Sequence, residues 1–251
     1  MKKILTVILI IVPFLSLAQQ ETIHHYQKID HKPFHFGYTL GINTMDFGIY
    51  RSESAHPENT ARQDTFPEIN TLSPGVDISI VTNFRLSKYL DLRVLPGISL
   101  GQRNLTYYTK LGKTEIEDNG DTIVTGKSDH EMNLGSTFIN LPFNIRYEAQ
   151  REKNYRPYLI GGVNFRWDMA RNRDFNDDEG IYIKLEPFDV YVEGGFGVDF
   201  YLPYFKLSTE LKFSVGMMNV LSPDKHEGNP GYVTSIDKLK SRMVSLSFHF
   251  E

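Results

Sequence analysis

Two neighbouring segments in the second half of the chain alternate most clearly between apolar and polar residues. In 188–200, FDVYVEGGFGVDF, apolar side chains fall on every second position, and acidic residues, tyrosine and glycine lie between them. In 205–216, FKLSTELKFSVG, the alternation resumes after a short turn. Successive side chains of a strand point to opposite faces, so each segment is predicted to be a strand with one apolar and one polar face. Both exceed the roughly 5–6 residues of an ordinary strand, and together they predict a long hairpin.

The same two-residue period predicts six further strands. They cover the ranges 34–49, 76–84, 92–107, 139–147, 159–169 and 244–250. In the first of these strands the apolar positions change parity near Asn43 and Thr44, so that Met45 and Phe47 join the apolar set. A one-residue slip of this kind predicts a β-bulge. A second parity change precedes Leu105.

The connections between the predicted strands alternate between short and long. The short ones are 87–91, 150–154 and 201–204, and the long ones are 50–72, 110–129, 172–186 and 219–238. Within 110–129 the sequence Asp-Asn-Gly-Asp at 118–121 is a type I′ turn signal and predicts a two-stranded finger. The predicted fold is all-β: an eight-stranded antiparallel up-and-down transmembrane β-barrel with four long external loops and three short periplasmic turns.

The distribution of charge decides which face of the strands is the core. A soluble sandwich buries its apolar face, whereas a membrane barrel turns that face to lipid and fills its lumen with polar side chains. Here the apolar face of every predicted strand is free of charge. Because eight strands enclose a space that side chains can fill, we expect a packed polar plug of ion pairs instead of a pore. Its predicted members are Arg93, Arg146, Arg166, Asp168, Asp189, Glu193, Asp199, Glu210 and Lys212. The alternative is a proton or substrate path, which the even mixture of opposite charges disfavours.

Aromatic residues near the strand ends indicate the two interfaces of a bilayer. Tyrosine and tryptophan collect where hydrocarbon meets the headgroups, in two belts around a membrane barrel. The predicted interface aromatics are Tyr89, Tyr147, Tyr158, Tyr201 and Tyr204 near the short turns, and Tyr107 and Trp167 near the long loops.

The first residues have the pattern of a secretory signal peptide. Lys2 and Lys3 precede an apolar run from 4 to 17, and Ser16 and Ala18 are the small residues of a cleavage site. The alternative is a membrane anchor, but the run is shorter than the ~20 residues that a spanning helix needs. We therefore expect a signal peptide at 1–18, cleaved near Ala18, a periplasmic tail at 19–33, and an outer-membrane barrel at 34–251.

Composition excludes several classes of function. The formal net charge is −4, which argues against nucleic acid as a partner. The chain contains no cysteine, so it carries no disulfide and no lipid-modified cysteine.

The long loops contain the candidate chemical groups. Asp174, Asn176 and Asp178 resemble part of a calcium loop, but Leu185 stands where such a loop carries glutamate. Acidic loops of this kind are more often simply solvated, so no metal is expected. His130, His226 and Ser222 are loop candidates for catalysis. Because the lipid-facing surfaces carry no set of serine, histidine and carboxylate, we expect no enzyme activity, no cofactor and no small-molecule substrate.

Two prolines break the usual rule for strands. Pro96 and Pro142 lie inside neighbouring predicted strands at about the same height, and neither has an N–H group to donate. The favoured interpretation places the missing donors where a bulge already interrupts the ladder. The alternative is a weak seam that lipid or a partner barrel covers.

Four segments carry a resemblance to a known family. They are FHFGYTLGINTMDF at 34–47, LDLRVLPGISLGQRNLTY at 90–107, INLPFNIRYEA at 139–149 and RPYLIGGVNF at 156–165. In this order they resemble the PorT (SprT) family of Bacteroidetes outer-membrane barrels. One departure is that Phe250 is followed by Glu251, whereas many barrel chains end on an aromatic residue.

The resemblance implies a function in protein export. Members of that family are needed for the type IX secretion system, which exports cargo proteins and, in gliding species, motility adhesins. It implies outer-membrane lipid and other secretion-system proteins as partners, and it transfers no catalytic residue. The alternatives are a structural or adhesive barrel and a lipid-modifying enzyme.

Overall fold

The structure is a computed structural model that describes residues 32–52, 65–68, 72–109, 114–116, 122–124, 128–170, 180–224 and 231–251. The elements in these ranges are β1 (Phe34–Arg51), β2 (Thr65–Glu68), β3 (Pro74–Arg85), β4 (Leu90–Val94), β5 (Gly97–Thr109), β6 (Thr114–Ile116), β7 (Thr122–Val124), β8 (Ser128–Glu148), β9 (Tyr155–Asp168), β10 (Phe188–Tyr201), β11 (Lys206–Gly216), α1 (Gly231–Thr234) and β12 (Ile236–Phe250). Within these ranges no helix has the length and apolarity to cross a membrane. The predicted signal peptide and most of the predicted tail lie outside them.

The main sheet closes into a ring. Its strands follow the order β1, β12, β11, β10, β9, β8, β4 and β3, and β3 pairs back with β1. β4 and β5 occupy one position of the ring, because both lie between β3 and β8. All these pairs are antiparallel, so the eight-stranded up-and-down barrel predicted from the alternation is confirmed.

The connections also follow the prediction. β3 and β4, β8 and β9, and β10 and β11 are joined by short turns at one end of the barrel. In the second long connection β6 pairs with β7, which confirms the two-stranded finger, although its turn at 117–121 lies outside the described residues. In the first long connection β2 adds to the edge of β5.

The parity change near Asn43 and Thr44 does not mark a bulge. β1 pairs with β12 in one unbroken register until a shift at Tyr50 and Arg51. Met45 and the residues two positions before and after it therefore all face the lumen, and Met45 is only 2 % exposed. The bulge prediction was wrong, because the chemistry of the two faces changes there while the register stays the same.

Both faces of the barrel exchange polarity at one height. On β12 the outward side changes from Val244 to Arg242, and on β1 their register partners change from Thr44 to Asp46. At the same height the inward side becomes apolar, as at Leu134 of β8. β8 has 21 residues, whereas about 9–11 residues span a bilayer. The barrel wall therefore continues beyond the outer apolar band, and there it has the polarity of a soluble protein.

An apolar core fills this extension, and we call it the external cap. It combines inward residues of the strands with residues of two loops: Phe47, Leu105, Tyr107, Met132, Leu134, Ile181, Ile183, Leu185, Val220, Leu221, Val233, Ile236 and Leu239. The loop segments 180–186 and 219–222 bond to each other and to the wall. Glu186 N donates to Val220 O at 2.8 Å, and Val220 N donates to Leu239 O at 2.9 Å. Among the described residues, packed side chains thus fill the interior at this end, beside an open pocket of about 470 Å³ lined in part by Asn219, Leu221 and Val233.

The two prolines interrupt the ladder without shifting it. β4 and β5, on the two sides of Leu95 and Pro96, pair with β3 in the same register. They also pair with β8 in the same register. Leu95 N donates to Pro142 O at 3.4 Å, and Ile80 N donates to Pro96 O at 3.0 Å. Each of these pairs lacks its second hydrogen bond, because proline has no N–H group. The expected bulge is absent at this point, and the interruption comes from the prolines themselves.

The aromatic belts are only partly where the sequence placed them. Tyr89, Tyr147, Tyr204 and Trp167 are 37 %, 59 %, 87 % and 53 % exposed. The prediction was wrong for three others: Tyr107, Tyr158 and Tyr201 are at most 3 % exposed and point into the barrel. All three lie on the inward parity of their strands, so their height near a strand end did not determine their surroundings.

Candidate functional site

Below the external cap, the lumen is filled with charged and polar side chains. They come from the inward positions of the strands, where every second residue points to the barrel axis. The residues predicted as a polar plug all lie here and are between 0 and 9 % exposed: Arg93, Arg146, Arg166, Asp168, Asp189, Glu193, Asp199, Glu210 and Lys212. We call these residues and their partners the lumen network.

Glu210 of β11 lies at the centre of the lumen network. Arg93 Nη1 is 3.5 Å from Glu210 Oε2, and the Tyr158 hydroxyl donates to the same oxygen at 3.0 Å. His249 Nε2 lies 3.5 Å from that oxygen, and Lys212 Nζ lies 4.0 Å from Oε1. Four strands of the ring therefore meet at one carboxylate.

Glu193 of β10 forms a second centre, nearer the external cap. Arg166 Nη2 and Lys212 Nζ approach its two oxygens at 3.0 and 3.1 Å. Asn164 Nδ2 and Ser214 Oγ donate to Oε1 at 2.8 and 3.1 Å. Because Lys212 contacts both Glu193 and Glu210, the two centres form one network.

A third group lies towards the short turns. Arg146 Nη2 is 2.6 Å from Asp199 Oδ2 and 2.7 Å from Glu148 Oε1. The Arg146 guanidinium also stands 3.8 Å from the centroid of the Tyr158 ring. A cation over an aromatic face is stabilised electrostatically, which accounts for a buried tyrosine among charges.

Arg103 marks the boundary between the lumen network and the external cap. Its Nη2 is 2.5 Å from Asp168 Oδ2, and its guanidinium lies 4.7 Å from the ring of Phe47 and 5.0 Å from the ring of Phe138. Asp189, at a similar height, accepts a hydrogen bond from Met218 N at 3.0 Å. The Arg103 guanidinium thus lies between an aspartate and two aromatic rings, while Asp189 Oδ2 is buried without a hydrogen-bond partner in the described part of the chain.

Glu251 points into the lumen, which was not predicted from the sequence. Its Oε1 lies 2.6 Å from Arg93 Nη2, and its Oε2 lies 2.6 Å from His35 Nε2 and 2.9 Å from Lys206 Nζ. The sequence did contain a signal for this position, because Glu251 lies two residues after the inward-facing His249 and therefore has the same parity. The residue noted as a departure after Phe250 is thus part of the lumen network.

The lumen contains little free space below the cap. A cavity of about 30 Å³ lies among polar groups that include Asp77, Asn140 and His249. That volume holds about two water molecules, since one needs roughly 10–15 Å³. Among the described residues, the arrangement pairs opposite charges within a packed interior, and this cavity is too small for a solute larger than water.

The other candidate groups do not form a site in the described part of the chain. His130 Nε2 lies 2.5 Å from Gly180 O, and Ser222 is buried, with its backbone N donating to Lys184 O. His226 and the acidic loop of Asp174, Asn176 and Asp178 lie outside the described residues. Within the described ranges, no three His, Asp or Glu side chains converge as metal ligands.

Comparison with known proteins places the chain among outer-membrane barrels. No curated protein matches it. The crystal structure of Neisserial surface protein A (NspA) covers 87 % of this chain and 98 % of its own, at 9 % identity and a TM-score of 0.37. The N-terminal β-barrel domain of Pseudomonas aeruginosa OprF covers 84 % and 96 %, at 9 % identity and a TM-score of 0.32. A family model described as outer membrane protein beta-barrel domain matches residues 17–222. The chain belongs to this family and is an outer-membrane β-barrel protein.

Proposed function

We propose that this barrel acts without enzymatic chemistry, by binding other proteins, and supports export through the type IX secretion system. The observation that carries the proposal is the filled interior. Among the described residues, charged side chains pack the lumen around a cavity of about 30 Å³, and an apolar core packs beyond them. A barrel that is filled in this way acts through its outer surfaces, its turns and its loops.

The link to type IX secretion is supported by the four segments that resemble the PorT (SprT) family. In gliding species the same link implies a role in motility. The proposed partners are other proteins of the secretion system, and the proposed contact surfaces are the long loops and the periplasmic tail. Outer-membrane lipid surrounds the apolar band between these two surfaces.

Deletion of the gene, followed by proteomics of the culture fluid, tests this function. We expect type IX cargo proteins to disappear from the medium and to return when the wild-type gene is supplied in trans. Unchanged secretion would remove the proposed function, although the fold would stand.

A structural or adhesive barrel is the second candidate, and the lumen network favours it. An interior built of buried ion pairs and a packed cap suits a protein whose main requirement is a rigid shape. In that case the deletion strain secretes normally and loses adhesion or envelope strength. A changed lipid A mass spectrum in the same strain would instead indicate a lipid-modifying enzyme.

A further inference from the structure

Three cationic side chains form a column on the outer face of β12, beyond the apolar band. Arg242, Lys240 and Lys238 occupy successive outward positions in register with Asp46, Gly48 and Tyr50 of β1. Successive outward positions on one strand lie about 7 Å apart, so the column extends roughly 14 Å along β12 from its first member to its last. We call it the β12 cation column.

The column begins where the outer apolar band ends. Directly below Arg242 the outward residues of β12 are Val244, Leu246 and Phe248, and on the adjacent strand Ile42 is 59 % exposed. Acyl chains cover an apolar surface of this kind, and the headgroups of the same lipids lie immediately above it. The column therefore stands at headgroup height in the outer leaflet.

The column combines two lysines that have no partner among the described residues with Arg242, which is attracted electrostatically to Asp46 beside it. The Arg242 side chain extends over Gly48, since a Cβ atom added at Gly48 would lie 2.9 Å from Arg242 Nε. Gly48 is in register with Lys240, so the guanidinium of Arg242 lies at about the same height as Lys240. Within the described ranges neither Lys238 nor Lys240 has an ion pair or a side-chain hydrogen bond, and Lys238 is exposed.

The column differs from the rest of the external surface. The other two cations there, among the described residues, are engaged: Lys184 pairs with Asp224 at 2.6 Å, and Arg51 donates to Pro67 O at 3.0 Å. Two carboxylates flank the column, Asp46 beside its base and Asp237 beside its top. Counted over the described residues, three cations against two flanking acids leave a local positive charge at one strand of the rim.

We propose that the β12 cation column binds the phosphate-bearing headgroup of an outer-leaflet glycolipid of the lipid A class. The phosphate lies against Lys240 and Arg242, Lys238 contacts the headgroup above it, and the acyl chains follow the apolar surface below. Basic side chains next to an anionic membrane surface attract it by charge, and an adjacent apolar wall adds the contact that a free anion lacks. The site goes beyond the proposed role in export.

Binding of purified lipid A to the detergent-solubilised protein, measured by native mass spectrometry, tests the proposal. The variant Lys238→Gln/Lys240→Gln/Arg242→Gln removes the column. The matched control, Lys32→Gln/Lys88→Gln/Lys153→Gln, removes the same charge from exposed lysines at the opposite end of the barrel. A Lys238→Arg/Lys240→Arg variant keeps the charge. Heat-modifiable migration on gels verifies that each variant is folded.

We expect the column variant to bind phosphorylated lipid A on the order of a hundredfold more weakly than the wild type. The control and the arginine variant should bind like the wild type, and dephosphorylated lipid A should bind the wild type as weakly as the column variant binds the intact lipid. Equal binding by the column variant and the wild type overturns the proposal. So do equal binding of both lipids, an equal loss in the control, and displacement of the lipid by millimolar inorganic phosphate.

Discussion

At the scale of single residues, Glu210 shows what a charged interior requires. Removing a carboxylate from water costs several kcal/mol, and one partner rarely offsets that cost. Glu210 has four polar partners from four different strands, and its side chain is fully buried. Networks of this kind are stabilising only while every member keeps its partners.

Replacing Glu210 should therefore destabilise the barrel strongly. In Glu210→Gln the buried Arg93 and Lys212 lose a counter-charge, and an uncompensated buried charge costs roughly 3–5 kcal/mol. The midpoint of denaturant unfolding in lipid vesicles, followed by gel migration, measures the change in stability. The matched control is Glu186→Gln, since Glu186 is exposed and lies above the apolar band. Equal midpoints for the two variants would contradict the central position of Glu210.

Whether a side chain faces the lumen or the lipid was predicted correctly where the prediction used parity, that is, odd or even position along the strand. The prediction was wrong where it used only the distance of the residue from the strand end. The plug residues were selected because they lie opposite the apolar face, and all of them are buried in the lumen. Tyr158 and Tyr201 were assigned to a lipid interface by their height near a turn. Each has the inward parity of its strand, like Arg166 and Asp199. Height positions a side chain along the membrane normal, but parity decides whether it meets lipid or lumen.

Among the elements, β1 and β5 are two strands in which the apolar residues change from outward to inward positions. Counting every second residue gives the residues that share a face along both strands, whereas following the apolar residues led to the wrong prediction of a bulge in β1. Such counting does not predict which face is apolar once a strand leaves the membrane. Met45 and Leu105 belong to the inward face throughout, and that face becomes apolar because loops cover it. The packing of those loops depends on contacts between segments that are distant in the sequence. A local pattern of apolar and polar residues therefore could not predict it.

The external cap should depend on its buried loop residues. Ile183 is 1 % exposed, and truncating a buried isoleucine to alanine costs about 2–5 kcal/mol. We expect Ile183→Ala to loosen segment 180–186 and to increase its cleavage by protease added to intact cells. The control is Met218→Ala, because Met218 is 44 % exposed. If both variants resist protease like the wild type, the cap does not hold the loop.

The proline interruption should appear as a local weakness in the ladder. The variant Pro96→Ala/Pro142→Ala supplies the two missing N–H groups, and one hydrogen bond contributes about 1 kcal/mol. We expect amide hydrogen exchange in 90–98 to slow by roughly fivefold, as measured by mass spectrometry. Pro203→Ala, in the turn between β10 and β11, should leave that exchange unchanged. Unaltered exchange in the double variant would show that the prolines do not weaken the ladder.

At the scale of the whole molecule, the barrel has two interiors stacked along one axis. Paired charges fill the part within the apolar band, and an apolar core fills the part beyond it. Among the described residues, a cavity of about 30 Å³ lies within the lumen network and the external cap packs above it, while a pocket of about 470 Å³ opens at the outer end among Ser52, Asn219 and Leu221. Within the apolar band the barrel therefore presents a wall with a packed interior to the membrane, with loops on one side and short turns on the other.

A filled barrel should conduct no ions. In planar bilayers we expect the purified protein to give no single-channel currents, because the described residues of the lumen network pack around a cavity of only about 30 Å³. An open porin, reconstituted in the same bilayers, is the positive control. Sustained currents from the folded protein would contradict the packed interior and would favour the alternative of a substrate path.

The inside-out arrangement of the barrel is tested most directly by thiol labelling in the native membrane. The chain contains no cysteine, so a single introduced cysteine is the only reactive thiol. Val192→Cys, Phe213→Cys and Leu246→Cys lie on the outer apolar band, whereas Tyr204→Cys lies at an exposed turn. With a hydrophilic maleimide in opened cells we expect Tyr204→Cys to label fully and the three band positions to remain unlabelled until detergent and denaturant are added. Ready labelling of the band positions in the intact membrane would contradict a lipid-facing exterior.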